Sequence, residues 1–199
     1  MGRESLAVPA DVSSEHDVAR LADETLRRFG RIDILVNNAG GGTLPRNIAD
    51  TSLEEWNRVL AVNLTSAFLC SRAVLPAMIR QRSGKIINIS SRGGRTGGAG
   101  SGAYCASKAA LINFTESLAS EVKRYGIDVN AVCPSGTATR LLAEMGRAEG
   151  RTDLISPEEI ASVVVFLATP AASAITGTAI DAYGTSNPLF GGGSPPGRR

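Results

Sequence analysis

The chain has 199 residues, 43% hydrophobic and 20% charged, with a net charge of +2 spread over scattered positions. That size suits one domain with a substantial core, and that balance excludes a disordered chain or a basic nucleic-acid stripe. A single histidine, His16, argues against a histidine-built metal site and against a Ser-His-Asp hydrolase.

In chain order, SLAVPAD (5–11) reads as a short strand. Ser13 or Ser14 then caps a helix to about Phe29, with Val18, Leu21, Leu26 and Phe29 near one face and Gly30 just past its end. RIDILVNNAG (31–40) reads as a buried strand running into a glycine turn. SLEE (52–55) resembles a capping box, and opens a helix that passes Trp56 and reaches about Gln81. Pro76 is expected to bend or split it. GKIINISS (84–91) is a second buried strand, and a helix follows over about 101–125. GIDVNAVCP (126–134) is a third buried strand that stops at Pro134. SPEEIASVVVFLAT (156–169) is a helix capped by Ser156 with Pro157 at its first position, and GTAIDAYG (177–184) is the last strand.

Continuous apolar strands alternating with amphipathic helices predict an α/β fold. It is a Rossmann-like, doubly wound parallel sheet in three layers, αβα. Residues 1–185 form one domain, and the Gly/Pro-rich tail 186–199 is expected to be disordered at its end. No apolar run approaches 18 residues and no signal-peptide pattern opens the chain, so no membrane partner is expected. Cys70, Cys105 and Cys133 lack CxxC spacing, and each lies in a mostly apolar stretch. They read as reduced, buried thiols of a cytoplasmic protein.

In a doubly wound sheet, ligands bind beyond the carboxyl ends of the strands. Asp11-Val12, NNAG (37–40), Ile89-Ser90-Ser91 and CPSGTAT (133–139) all fall there. In AYCASKAAL (103–111), Tyr104 and Lys108 stand four apart and share a helix face. A free phenol, with a pKa of about 10, is a poor base at neutral pH, and a nearby ammonium favours the phenolate. A shift of ~3 units takes ~4 kcal/mol of differential stabilisation. Such a tyrosine can take a proton from an alcohol or give one to a carbonyl. Ser91 can donate a hydrogen bond to the same substrate oxygen. Taken alone, a tyrosine and a lysine at this spacing also describe an ordinary helix-surface pair.

DVSS (11–14), NNAG (37–40), Asn63 in VNLTSAF, Ser91 in NISS, YCASK (104–108), the turn 134–139 and ITGTAIDAYG (175–184) resemble the short-chain dehydrogenase/reductase family in order and spacing. The resemblance covers roughly residues 5–185, and lies nearest to the 3-oxoacyl-acyl-carrier-protein reductase-like members. It implies an NAD(P)-dependent oxidoreductase that interconverts a secondary alcohol and a ketone. Tyr104 is then the acid/base. Lys108 lowers its pKa and holds the nicotinamide ribose, and Ser91 polarises the substrate oxygen. Asn63 holds a water linking Lys108 to solvent. Asp11 and Val12 meet the adenine; Asn38, Ala39 and Gly40 line the adenosine side; Pro134, Thr137 and Thr139 face the nicotinamide. The partners implied are a small-molecule alcohol or carbonyl substrate and further copies of the chain, as a dimer or tetramer.

Other residues read as structural: Asn37 as a strand-end brace, Trp56 as packing, Tyr125 and Tyr183 as scaffold. Arg92 and Arg95 read either as solvated loop charge or as readers of an acidic substrate.

The sequence departs from the family's pattern at its opening. There is no TGxxxGxG turn, and the first two βα units, about 50–60 residues at ~30 per unit, have no counterpart. TGGAGSG (96–102) has the wrong spacing and follows the Ser91 strand, so it reads as the loop before the catalytic helix. The DILV strand is expected to be an open edge with an exposed apolar face. The segment that separates NAD from NADP is missing, so both remain open. The stretch between Pro134 and Pro157 is short for a substrate lid, and Ser135 stands where a glycine is usual. These departures leave a second expectation: a non-catalytic, truncated chain that persists by association with another chain.

Overall fold

The computed structural model describes residues 4–42, 44–139 and 154–184. The tail 186–199 and most of the expected lid lie outside the described residues. Four strands, β1 (Ile34–Asn37), β2 (Gly84–Ile89), β3 (Ile127–Pro134) and β4 (Ala179–Ala182), pair in parallel in the order β1-β2-β3-β4. Val36 lies opposite Ile87, Ile87 opposite Asn130, and Cys133 opposite Asp181.

The helix ends follow local chemistry. Helix α1 (Glu15–Phe29) starts at Ser14, whose Oγ accepts from the Asp17 amide, and ends at Gly30 with φ of 75°. Helix α2 (Leu53–Leu60) is capped by Ser52. Pro76 does not split the segment that follows, because α3 (Ser66–Gln81) runs straight through it. Proline at 76 frees the carbonyl four residues back, at Arg72, and both residues are exposed, so the proline sits on the solvent side of the helix. The interruption falls instead at Ala61–Thr65, a π-helical turn centred on buried Asn63. Helix α4 (Gly102–Val122) passes into a 3-10 turn at Lys123–Tyr125. Helix α5 (Pro157–Ala168) carries a complete capping box between Ser156 and Glu159.

The expectation of a strand at 5–11 is corrected. Residues 5–10 pair with no strand, and Arg20 reaches back from α1 to donate to the Pro9 carbonyl at 2.6 Å. Pro9 cannot donate to a ladder, and the described sheet runs β1-β2-β3-β4 without this segment.

The sheet has two unequal faces. On one, Ile86 and Val129 meet Val74 and Met78 of α3 and Leu118 and Val122 of α4. Helix α1 packs on α3 through Val18, Leu69 and Cys70, over Leu35 of β1. On the other, Ile87 and Val132 meet Leu167 of α5. That helix covers β2 and β3 but leaves the outer side of β1 bare: Ile34 is 46% and Val36 41% exposed. The open apolar edge expected at DILV is therefore observed among the described residues. By length and composition the helical stretch Leu53–Gln81 would pass as a membrane span. Its Leu69, Val74 and Met78 are instead buried against α1 and the sheet.

Candidate functional site

Three strand ends and the start of α4 converge on one cavity of about 490 Å³. Ile89 to Arg92 leave β2, Pro134 to Thr137 leave β3, and Asn38 to Gly42 follow β1. Tyr104, Cys105 and Lys108 enter from α4. Of the predicted residues, Asn38, Gly40, Ser91, Tyr104, Lys108, Pro134, Thr137 and Thr139 line it.

Lys108 is 5% exposed, and its Nζ donates to the Ile89 carbonyl at 2.8 Å. The same Nζ stands 5.8 Å from the centre of the Tyr104 ring. Burial disfavours the ammonium and pushes its pKa down to about 8. Ser91 opens a 3-10 turn (Arg92–Gly94), and its Oγ accepts from the Gly93 amide at 3.0 Å, leaving the hydroxyl hydrogen available to a substrate. Gly93 ties the two groups together: a Cβ there would stand 3.2 Å from the Tyr104 ring and 3.5 Å from Ser91 Oγ.

Asn63 stands behind the cavity wall. Its Nδ2 donates to the Gly41 carbonyl at 2.8 Å and to the Val59 carbonyl at 3.0 Å, and its Oδ1 accepts from the Gly41 amide at 3.1 Å. One amide thus clamps the glycine loop against the π turn. A Cβ on Gly40 would fall 2.7 Å from Asn63 Oδ1 and 3.2 Å from Lys108 Nζ, so a bare glycine is required there. Both donors of Asn63 are used, and one lone pair of Oδ1 remains.

Three predicted residues lie elsewhere. The Asp11 carboxylate accepts from the Ser13 amide at 2.9 Å and from Ser13 Oγ at 2.6 Å, bonds that hold it below the usual carboxylate range. It shapes the turn into α1. Val12 packs toward Val18 and Leu69. Neither lines the cavity, and nor does exposed Ala39. Without a strand at 5–11 nothing aligns Asp11 and Val12 with the other strand ends.

The structural readings of four side chains are visible. Asn37 Nδ2 donates to Asn88 Oδ1 at 2.8 Å, and Asn88 Nδ2 donates to Thr115 Oγ1 at 2.9 Å, a polar chain from β1 through β2 to α4. Trp56 is half-buried on α2, away from the cavity. Arg124 covers the Tyr125 ring at 4.8 Å. Tyr183 is buried, and desolvation with Asp181 nearby pushes its phenol up to about 12. Cys70 and Cys133 are buried, and burial pushes both thiols up; Cys105 is half-buried and lines the cavity, so it departs from the buried reading. Arg95 donates to Asp181 at 2.9 Å and to the Ala179 carbonyl at 2.6 Å. That commitment to the β4 edge removes it as a reader of substrate.

Several site residues had no role in the sequence reading. Ser90 Oγ donates to the Lys108 carbonyl at 2.8 Å and fixes α4 to the end of β2. Gly94 presses on the same place, with its Cβ position 2.7 Å from the Lys108 carbonyl oxygen. The Ser-Ser and Gly-Gly pairs at 90–91 and 93–94 were the available signal.

The model of the short chain dehydrogenase family matches residues 1–150. The 3-oxoacyl-[acyl-carrier-protein] reductase of Synechocystis sp. is 42% identical over 190 residues, spanning 92% of this chain and 76% of that one. The corresponding reductase of Vibrio cholerae is 36% identical over 92% of this chain and 78% of its own. Among solved structures, the 3-ketoacyl-(acyl-carrier-protein) reductase of Brucella melitensis complexed with NADH superposes with a TM-score of 0.84 at 34% identity. It covers 91% of this chain and 78% of that one. Levodione reductase superposes at 0.83 with 31% identity, over 88% of this chain and 74% of its own.

Proposed function

The chain belongs to the short-chain dehydrogenase family, and from that premise we propose that it is a nicotinamide-dependent reductase of a small carbonyl compound. The observation that carries this reading is the convergence of Ser91, Tyr104 and Lys108 on one cavity wall at the carboxyl ends of the strands.

The cavity residues fit the nicotinamide and its ribose. Gly40 leaves a bare cradle beside Lys108 Nζ, and Pro134, Thr137 and Thr139 form the facing wall. The 199 residues contain no TGxxxGxG turn to hold a diphosphate, so the fit extends to that end alone. A bound dihydronicotinamide would supply the hydride. Ser91 donates a hydrogen bond to the substrate oxygen and orients the carbonyl. Tyr104 gives its phenolic proton to that oxygen as the carbonyl carbon is reduced. The phenolate left behind is stabilised by the Lys108 ammonium and regains its proton from solvent. The remaining lone pair of Asn63 Oδ1 suits a water in that return path. Asp11, Val12, Asn38 and Ala39 would serve only the far, adenosine end. The substrate class is an alcohol or carbonyl small molecule, and the setting is the cytoplasm. Exposed Phe68 on α3 and Val165 and Phe166 on α5 suit pairing between copies as a dimer or tetramer.

A fluorescence titration of the chain with NADH and with NADPH tests this. Saturable binding is expected, and the tighter ligand identifies the preferred cofactor. Tyr104→Phe should keep that binding and lose turnover of a ketone by about 100-fold or more, the scale of general acid catalysis. No binding to a folded chain would favour the non-catalytic alternative, and turnover unchanged by Tyr104→Phe would remove the tyrosine from the mechanism.

A further inference from the structure

Two cations line the cavity among the described residues, Lys108 and Arg92, and no carboxylate does. Lys108 is buried and already donates to the Ile89 carbonyl. Arg92 is exposed, follows Ser91 directly, and its guanidinium makes no hydrogen bond or ion pair among the described residues. Its neighbour Arg95, three residues on, shows the contrast, because it is consumed by Asp181 and the Ala179 carbonyl. Arg92 starts the same 3-10 turn that holds Ser91 beside Tyr104, so its side chain branches from the reacting end of the cavity.

We propose that Arg92 makes this site selective for carbonyl substrates that carry an anionic group, a carboxylate or a phosphate, close to the reacting carbonyl. The guanidinium is always charged, and its planar fork matches either group with two parallel hydrogen bonds. No lining acid among the described residues competes with an anionic substrate for that charge. A neutral carbonyl uses Ser91 and Tyr104 alone, while an anionic one gains a third anchor. The inference rests on the reductase reading of the same site.

The test uses the full chain with its preferred reduced cofactor and two matched pairs of substrates. Acetoacetate is compared with its ethyl ester, and dihydroxyacetone phosphate with dihydroxyacetone. The wild-type chain should show a higher kcat/KM for the anionic member of at least one pair, and that pair identifies the anion. Arg92→Gln should lower that ratio by about 10-fold or more, the scale of a charged hydrogen bond, and Arg92→Lys should restore part of it. A ratio unchanged in Arg92→Gln overturns the proposal. So does an effect confined to the KM of the cofactor, which would assign the arginine to the wrong ligand. If the chain reduces none of the four compounds, a readout that needs no turnover decides the anion site. Malonate and inorganic phosphate are then titrated while the Gly93 and Gly94 amide resonances are followed. A saturable shift that disappears in Arg92→Gln supports the site, and no shift at those amides overturns it.

Discussion

Among the described residues, Lys108 is the one charged side chain that is buried. Its ammonium keeps one protein partner, the Ile89 carbonyl, and a pKa of about 8 against the ordinary 10.5. Below pH 8 both folded and unfolded chains hold the proton, and the folded state bears the whole burial penalty, about 3 kcal/mol. Between pH 8 and 10.5 the unfolded chain binds more protons than the folded one, so this lysine's contribution to stability improves as pH rises. Thermal melts of wild type and Lys108→Met should therefore show a constant difference in Tm below pH 8. The difference should shift in favour of wild type from pH 8 toward 10.5. A difference that stays flat across that window would mean that Lys108 is hydrated in solution. The convergence of Tyr104, Lys108 and Ser91 on one cavity was legible from the four-residue spacing taken together with the strand ends and the family resemblance. The partners of Asn63 were not, since its clamp on Gly41 joins residues 22 apart through a π turn that no local pattern announces.

Among the elements, the Ser91–Gly94 turn and α4 form a single working unit. Ser90 ties the strand end to the helix from one side, and Gly94 lies flat on the helix backbone from the other. A methyl at 94 would meet the Lys108 carbonyl carbon at 2.8 Å and Ser90 Oγ at 2.9 Å, and the first contact is with backbone, which rotation of a side chain cannot relieve. Gly94→Ala should cost about 1–3 kcal/mol in a denaturant melt. It should also lower kcat more than it raises KM, because it moves Ser91 away from Tyr104. Gly97→Ala, where a Cβ meets nothing within 4 Å, should leave the melt unchanged. If the two variants melt alike, the close approach at 94 is relaxed in solution. Helix starts were legible at Ser52 and Ser156 from hydroxyl and acid spacing alone. The supposed strand at 5–11 was misread because a short apolar run is also compatible with an unpaired extended segment, held here by Arg20 on the Pro9 carbonyl. A strand is defined by a neighbour, and a single sequence does not display one.

Across the whole molecule, the two faces of the sheet are protected unequally. The α3 and α4 face is closed, while on the other face the cover of α5 stops short of β1. Ile34 and Val36 therefore form an apolar edge of the kind that recruits dye or another chain. The chain should enhance the fluorescence of an anilinonaphthalene sulfonate, and Ile34→Thr with Val36→Thr should reduce that signal at least twofold while the strand is kept. Equal signals from both proteins would show that the edge is covered in solution. The parallel pairing of β1 to β4 was legible from continuous apolar strands, and the open edge from the resemblance to a family whose first two βα units have no counterpart here.

The polar chain from Asn37 through Asn88 to Thr115 has a consequence for how that edge strand finds its place. A strand of four residues with half its side chains in solvent has little apolar pattern to choose a register by. Sliding it by one residue would swing Asn37 to the other face and leave the Oδ1 of wholly buried Asn88 without its donor. An unpaired buried amide costs about 1–3 kcal/mol. The asparagine pair thus proofreads β1: misaligned pairings are rejected by thirst rather than by fit, and the Asn38–Gly42 loop is delivered to the cavity in a single alignment.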